Sequence, residues 1–453
     1  MNKKKVLIIL FIAIIILFFI ISIFPIRIYH WWDETVYLQN AEVLFSGRTN
    51  YDEFSFRPPL LSILFAGIFF IWHSPIAASI LTTTLCILAP IFIFLIGKKL
   101  YNFKTGIIAG LIVCFAPFIV FNSNFLLTDI PAMSFIAISF YFALLHEKKM
   151  FPLLSGIFLS LATLMKFTSI LLGLVILAYF IINKVNIKKI LLFILGAGLV
   201  ILPYFIWAQL SFGNFLSPII QGSLMVSDKN EGNMFYLQNI SNAFTILPII
   251  GILILILFRI FTINQKKYKN WKIDLILIFW IVIFLIYLTI TPHKELRYLF
   301  PITIPLIILG ANGLSSLLDK LKSKYQIIIS LILILFLLYS FVSAIPKDYY
   351  KLTNTAKPNE VKASEFITKN YNLTIYSPHN WPVFAYYTNL KTIQLWPYDS
   401  SFYYNYNKIL EPESILIVTE GINKHPTVEW LNNSQNFKFL EKFGEVYIYK
   451  YTA

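Results

Sequence analysis

Asp33 and Glu34 form an acidic pair seven residues past the end of an apolar span over residues 6–26. A basic-proline step, Arg57-Pro58-Pro59, follows them. Carboxylates at the water edge of a membrane can take a proton from a hydroxyl, and a fixed cation can hold a developing negative charge. Such a set suits chemistry on a charged lipid head group. Three later positions add to it: Asp129 in Thr128-Asp129-Ile130-Pro131, Lys166 in Met165-Lys166-Phe167, and the cluster His293-Lys294-Glu295-Leu296-Arg297-Tyr298.

Each of these has an ordinary structural explanation beside the chemical one. Asp33 follows Trp31-Trp32, and an apolar setting tends to raise a carboxylate's pKa and suits a general base. The same run also reads as a helix N-terminus at an interface, where acidic residues and tryptophans are common. Thr128 or Asp129 can cap the helix that Pro131 opens. Lys166 either snorkels to the interface or pairs with an anionic head group. In the late cluster, Lys294 and Glu295 can be a solvated pair. A basic cluster there runs against the orientation bias of the other loops, and phosphate binding explains it, with Arg as a fork and Lys as a point charge.

The elements that must position these groups are membrane helices. Hydrophobic residues make up 58% of the 453-residue chain and charged residues 13%, against about 25% charged in soluble domains. The mean hydropathy is +0.72. The net charge of +15 is spread as short clusters between apolar stretches, which excludes a nucleic-acid-binding surface. Cys86 and Cys114 both fall inside apolar spans, so no disulfide framework is expected. Lys3, Lys4 and Lys5 precede an apolar stretch longer than a signal peptide's core, so it reads as a retained anchor helix.

Six basic clusters set the orientation: Lys3–Lys5, Lys98/Lys99/Lys104, Lys148/Lys149, Lys184/Lys188/Lys189, Lys266/Lys267/Lys269/Lys272 and Lys320/Lys322/Lys324. Placed on the cytoplasmic side, they predict eleven spans: 6–26, 75–97, 106–121, 131–145, 152–165, 169–182, 190–212, 243–261, 274–291, 299–317 and 325–345. Residues 60–72 are too short to cross and read as a re-entrant or interfacial helix. This topology puts Asp33, Glu34, Arg57, Asp129, Lys166, Asp228, Glu231, His293, Lys294, Glu295 and Arg297 on the outer face.

The fold class is therefore an α-helical polytopic membrane domain over 1–345 and a small extracytoplasmic α/β domain over 346–453. In the tail, helices are predicted at 360–369, 381–387 and 427–431. Strands are predicted at 373–376, 392–395 and 415–418, with a closing pair at 437–442 and 445–451 around Gly444. Sequons at Asn239, Asn372 and Asn432 all fall on the predicted outer side. The aromatic stretch with Trp381, Tyr386, Tyr387, Trp396, Tyr398, Tyr403, Tyr404 and Tyr406 reads as core and interface packing, with sugar stacking as the alternative.

Taken in order, these motifs resemble the GT-C membrane glycosyltransferases, in the branch of the protein O-mannosyltransferases and lipid A aminoarabinose transferases. The resemblance rests on Asp33-Glu34 with Tyr37, Gly47, Arg57-Pro58-Pro59-Leu60, Thr128-Asp129-Ile130-Pro131, Lys166 and Arg297-Tyr298-Leu299-Phe300-Pro301. His293-Lys294-Glu295-Leu296-Arg297-Tyr298 is also similar to the His-Lys-Glu-x-Arg-Phe element of lipid-anchor mannosyltransferases. The resemblance spans roughly the first 300 residues, and the tail carries no matching motif.

It implies sugar transfer from a polyprenyl-phosphate donor, dolichyl or undecaprenyl, to a protein, lipid or glycan hydroxyl at the outer face of the cell membrane. Asp33, with Glu34 beside it, would supply the base, and Asp129 would shape the site. A lipid-phosphate leaving group needs cations, for which Arg57, Lys166, His293, Lys294 and Arg297 are the candidates, with Tyr37, Glu295 and Tyr298 shaping the substrate pocket. No cofactor is required on this reading, and a divalent cation between Asp33 and Asp129 is its alternative. Arg57 stands where the aminoarabinose transferases carry Lys, so that sugar is not assumed. The competing readings are a metal-dependent oligosaccharide transferase or glycan ligase, a transporter or flippase of a lipid-linked sugar, and a glycan sensor. Charges gathered at one interface and the lack of internal repeats argue against transport.

Overall fold

The structure is a computed structural model that describes residues 3–24, 27–47, 54, 56–224, 232, 234–236, 238–239, 245–263, 271–353, 357–395, 401–422 and 425–452. Asp228, Glu231, Lys266, Lys267, Lys269, Trp396, Tyr398 and the Ile240-Ser241 part of one sequon lie outside the described residues. The chain groups into two units. One comprises Met1–Ile26, Phe54–Leu61 and Ile76–Leu352, and the other Arg27–Glu53, Ser62–Pro75 and Thr353–Ala453.

In chain order the helices begin with α1 (Lys3–Ile23), α2 (Trp32–Ser46), α3 (Leu60–Phe69), α4 (Pro75–Leu100), α5 (Phe103–Phe115), α6 (Pro117–Asn122), α7 (Asp129–Leu144) and α8 (Phe151–Met165). A 3-10 turn, Phe167–Leu171, leads into α9 (Leu172–Ile182), α10 (Ile187–Phe212) and α11 (Ser217–Leu224). Then come α12 (Leu247–Ile263), α13 (Trp271–Ile290), a second 3-10 turn at Leu296–Leu299, α14 (Phe300–Lys320) and α15 (Ser323–Thr353).

Among the described residues, five stretches are long and apolar enough to cross a membrane: Pro75–Leu100, Ile187–Phe212, Trp271–Ile290, Leu296–Lys320 and Ser323–Ser343. The other six predicted spans coincide with shorter apolar helices. The predicted span 106–121 is a correction: it is two helices, α5 and α6, divided at Ala116. Pro117 has no N–H to donate and disfavours helical geometry in the residue before it, and Ala116 accordingly sits at ψ 110°. The 169–182 span likewise begins as a 3-10 turn.

α14 is the packed centre of the membrane unit, buried along most of its length. Glycines permit its closest neighbour: a Cβ on Gly313 would run into the Gly251 carbonyl of α12, and one on Gly251 into the Gly310 carbonyl. Small residues at such crossings let backbones touch where lipid offers no hydrophobic drive between helices. Asn124 Nδ2 donates to the Ser22 carbonyl at 2.8 Å, which ties the chain before α7 to the end of α1. Phe118 of α6 stacks on Phe300 of α14 with centroids 5.2 Å apart.

The second unit contains α2, α16 (Asn359–Asn370), α17 (Trp381–Thr388), α18 (Phe402–Ile409) and α19 (Val428–Asn433), around a five-stranded sheet. Its strands are β1 (Ile375–Ser377), β2 (Thr392–Gln394), β3 (Ser414–Thr419), β4 (Phe437–Phe443) and β5 (Val446–Tyr451), in the order β2-β1-β3-β5-β4. β1 pairs in parallel with β2 and β3, and β5 runs antiparallel to β3 and β4. β3 is buried at every position because apolar clusters cover both faces. One cluster sets Leu416 and Val418 with Phe402 and Leu431, and the other sets Ile415 and Ile417 with Ile367 and Phe384. The α/β tail was legible in the sequence, with one omission. Residues 402–409 form a helix that the aromatic run concealed, with Tyr403 and Tyr406 in the apolar cluster and Tyr404 83% exposed.

Candidate active site

In the membrane unit the site forms where three chain turns meet. Asp129 is the first residue of α7, with Thr128 before it at φ −79°, ψ −16° and no side-chain capping bond. The cap expected of Thr128 is therefore absent, because its backbone is already helical rather than in the extended geometry a cap needs. The Asp129 carboxylate turns to other partners. α8 ends at Met165, and Lys166 leaves it in an extended conformation at φ −154°, ψ 114°. That exit carries the Lys166 ammonium onto Asp129 Oδ1.

The third turn is the 3-10 segment before α14. There Arg297 Nη1 lies 3.8 Å from Asp129 Oδ2, and Arg297 Nε donates to Glu295 Oε2. The other Glu295 oxygen pairs with His293 Nε2 at 2.8 Å. The Tyr298 ring lies beneath both cations, 4.2 Å from Lys166 Nζ and 5.8 Å from the Arg297 guanidinium carbon. An aromatic face attracts a cation without adding a net charge. Asp129 is 5% exposed. Lys294 is buried too, and its ammonium donates to the carbonyl of Thr291 at 2.9 Å. Arg57 is half-buried with its guanidinium carbon 5.4 Å from the Phe56 ring. Six of the predicted residues, Asp129, Lys166, His293, Glu295, Arg297 and Tyr298, thus form one connected group.

The remaining predicted residues, Asp33, Glu34 and Tyr37, lie on α2 in the other unit. α2 carries eight consecutive buried residues from Glu34 to Ala41. α17 covers one side of α2, where Trp32 and Val43 pack against Trp381 and Ala385. Gln39 Nε2 donates to the Pro382 carbonyl at 2.7 Å, and the His30 N–H donates to the Tyr387 hydroxyl at 2.8 Å. Trp32 also meets the His379 ring, with centroids 5.5 Å apart.

The two neighbouring carboxylates differ sharply. Glu34 is 1% exposed. Its Oε1 accepts from Arg27 Nη1 at 2.5 Å, and its Oε2 accepts from the Trp31 N–H at 3.0 Å, the reach-back of a capping box. Burial pushes its carboxyl up, but the Arg27 guanidinium and His30 outweigh burial and hold it down at about 2. Asp33 is only half-buried, and Tyr37, one helical turn along, stands on the same side of α2.

Sequence reasoning missed Arg27, His30 and Tyr387. Arg27 is the first cation past the apolar span, seven residues before Glu34, and that spacing was the available signal. Nothing in the sequence linked Tyr387 to a loop 357 residues earlier. Among the described residues, no three His, Cys, Asp or Glu side chains come together as a metal-binding group.

Residues 56–207 match the family described as dolichyl-phosphate-mannose-protein mannosyltransferase. No curated protein matches the sequence. Among solved structures, the chain is similar to ArnT from Cupriavidus metallidurans bound to undecaprenyl phosphate, at 12% identity and TM-score 0.70, covering 98% of this chain and 97% of that one. It is similar to the archaeal oligosaccharyltransferase AglB from Archaeoglobus fulgidus at 11% identity and TM-score 0.66, over 97% of this chain and 74% of that one. It also resembles the mycobacterial arabinofuranosyltransferase AftD at 12% identity and TM-score 0.62, over 100% of this chain and 40% of that one. A membrane helical unit of this topology, shared with three such enzymes, is the GT-C fold, and this chain has it.

Proposed function

We propose that the chain is an integral-membrane glycosyltransferase that moves a sugar from a polyprenyl-phosphate donor to a hydroxyl on a protein, lipid or glycan. The observation that carries this reading is the group around Asp129, in which Lys166 and Arg297 converge over the Tyr298 ring. Two cations held together at helix ends of an apolar bundle suit a phosphate whose tail lies in lipid. The similarity to a protein bound to undecaprenyl phosphate supports the same donor class.

In the reaction, the acceptor oxygen attacks the sugar's anomeric carbon while the carbon–oxygen bond to phosphate breaks. Polyprenyl phosphate leaves with the bonding pair, the acceptor proton passes to Asp33, and the anomeric centre inverts. Lys166 and Arg297 stabilise the charge that builds on the leaving phosphate, an effect commonly worth about 2.7–4 kcal/mol per donor in the barrier. Glu34, held as an anion by Arg27, fixes the start of α2 and so positions Asp33. Arg57, His293 and Lys294 add positive charge to the head-group region, and Tyr37, Glu295 and Tyr298 shape it. The site faces the extracytoplasmic side, with the N-terminus in the cytoplasm.

The test is sugar transfer by the purified protein in lipid, with a panel of polyprenyl-phosphate sugars and EDTA present, wild type against Asp33→Asn. Release of polyprenyl phosphate that depends on the sugar and is lost in the variant supports the reading. Transfer restored only by a divalent cation moves it to a metal-dependent enzyme, and consumption of no donor by the folded protein overturns it.

A further inference from the structure

We propose that Asp129 is the resident counter-anion of the lipid-phosphate seat: its carboxylate holds the position between Lys166 and Arg297 that the donor's phosphate must take, and each binding event displaces it. This rests on the donor class proposed above. The geometry is that of an occupied anion site. Asp129 offers one oxygen to each cation, Oδ1 to Lys166 and Oδ2 to Arg297. A phosphate bridging the same two groups would do the same with two of its oxygens.

The carboxylate is in place before any lipid arrives. Among the described residues, Lys166 and Arg297 pair with Asp129, Arg297 pairs also with Glu295, and His293 meets the other Glu295 oxygen. Lys294 is beside the group in sequence, and its ammonium donates to the Thr291 carbonyl. A phosphate entering this set meets a carboxylate already in its place. Once Asp129 turns aside, the two cations lose one negative charge and can take up the phosphate in its stead.

Two features make the exchange workable. The Arg297 arm is loose at 3.8 Å, and its Nε is held by Glu295 instead. The Tyr298 face keeps both cations in position by an attraction that survives the departure of the carboxylate. On this view the buried aspartate keeps two cations satisfied in the lipid-free protein and limits how tightly the product, polyprenyl phosphate, is retained.

The opposite role, a strut that orients the cations for phosphate, predicts the opposite sign. The experiment is equilibrium binding of undecaprenyl phosphate, with neutral undecaprenol as control, to the full chain in nanodiscs. Wild type, Asp129→Asn, Asp129→Glu and Lys166→Ala are compared, each checked by thermal melting. Removing a like charge from the seat should tighten phosphate binding of Asp129→Asn by about tenfold or more. Asp129→Glu should not tighten it, and Lys166→Ala should weaken it by a similar factor. Should Asp129→Asn fail to fold, Asp129→Ser is read for the same sign. Unchanged or weaker phosphate binding in the folded neutral variant overturns the inference while leaving the donor class intact. A wild type that does not prefer the phosphate over undecaprenol fails the donor reading itself, and the inference falls with it.

Discussion

Replacing Glu34 by glutamine keeps the shape of the side chain and leaves the buried Arg27 guanidinium facing a neutral amide. The Glu34 carboxyl sits at about 2 instead of its ordinary 4.5, and one pKa unit corresponds to about 1.4 kcal/mol. The charged form therefore adds about 3 kcal/mol to the stability of its unit at neutral pH. That agrees with about 3–5 kcal/mol for breaking one side of a buried ion pair. Because the folded-state pKa is lowered, the contribution is present in full above about 4.5 and is lost as pH falls toward about 2. At pH 3 about 2 of the 3 kcal/mol should already be gone. Thermal unfolding in detergent, followed by tryptophan fluorescence, reads this directly. At pH 7, Glu34→Gln should melt roughly 10 °C below wild type, and the gap should close to about a third of that at pH 3. A double variant, Arg27→Met with Glu34→Leu, should recover much of the loss by removing both charges. A gap equal at the two pH values, or no gap at pH 7, would refute the reasoning.

Asp33→Asn should lower kcat by about 10²–10⁴-fold, the usual worth of a general base, with binding of the donor lipid unchanged in a separate equilibrium measurement. Tyr387→Phe leaves the His30 N–H without its acceptor and should cost about 1–3 kcal/mol, read as a lower melting temperature. Gly156→Val puts a side chain against the Phe193 carbonyl of α10. It should destabilise the α8–α10 crossing by about 1–3 kcal/mol or more, visible as loss of a monodisperse peak in size-exclusion chromatography.

Most of the fold could be read in the chain because membrane spans are encoded locally, by length and apolarity. The exceptions are where a single residue overrides a long pattern: Pro117 breaks a stretch whose hydropathy alone looks continuous. The strands of the tail were also legible, since β3 and β5 are short apolar runs bounded by turn residues. Helix α18 was not, because Tyr403, Tyr404 and Tyr406 carry β propensity and its pairing with Trp430 and Phe437 is long-range. The residues of the candidate site could be picked out by type, and which of them meet could not. Asp129, Lys166 and Arg297 were separate motifs, and only folding shows that two cations share one carboxylate. Asp33 and Glu34 looked like one acidic pair, yet adjacent positions on a helix point in different directions. One is buried on Arg27 and the other stays half-open.

The seat of α2 also sets an order of assembly. α2 is made near the start of the chain, while its anchors on α17 emerge much later, His30 preceding Tyr387 by 357 residues. At about 5–20 residues per second of synthesis, α2 waits roughly 20–70 s for them. During that time the membrane helices that follow it enter the bilayer one after another. A nascent chain can thus own every helix of its bundle and still lack a seated acidic helix. The seat of α2 is completed late in translation, and a ribosome that stalls before α17 leaves behind a chain whose first acidic helix lacks these anchors.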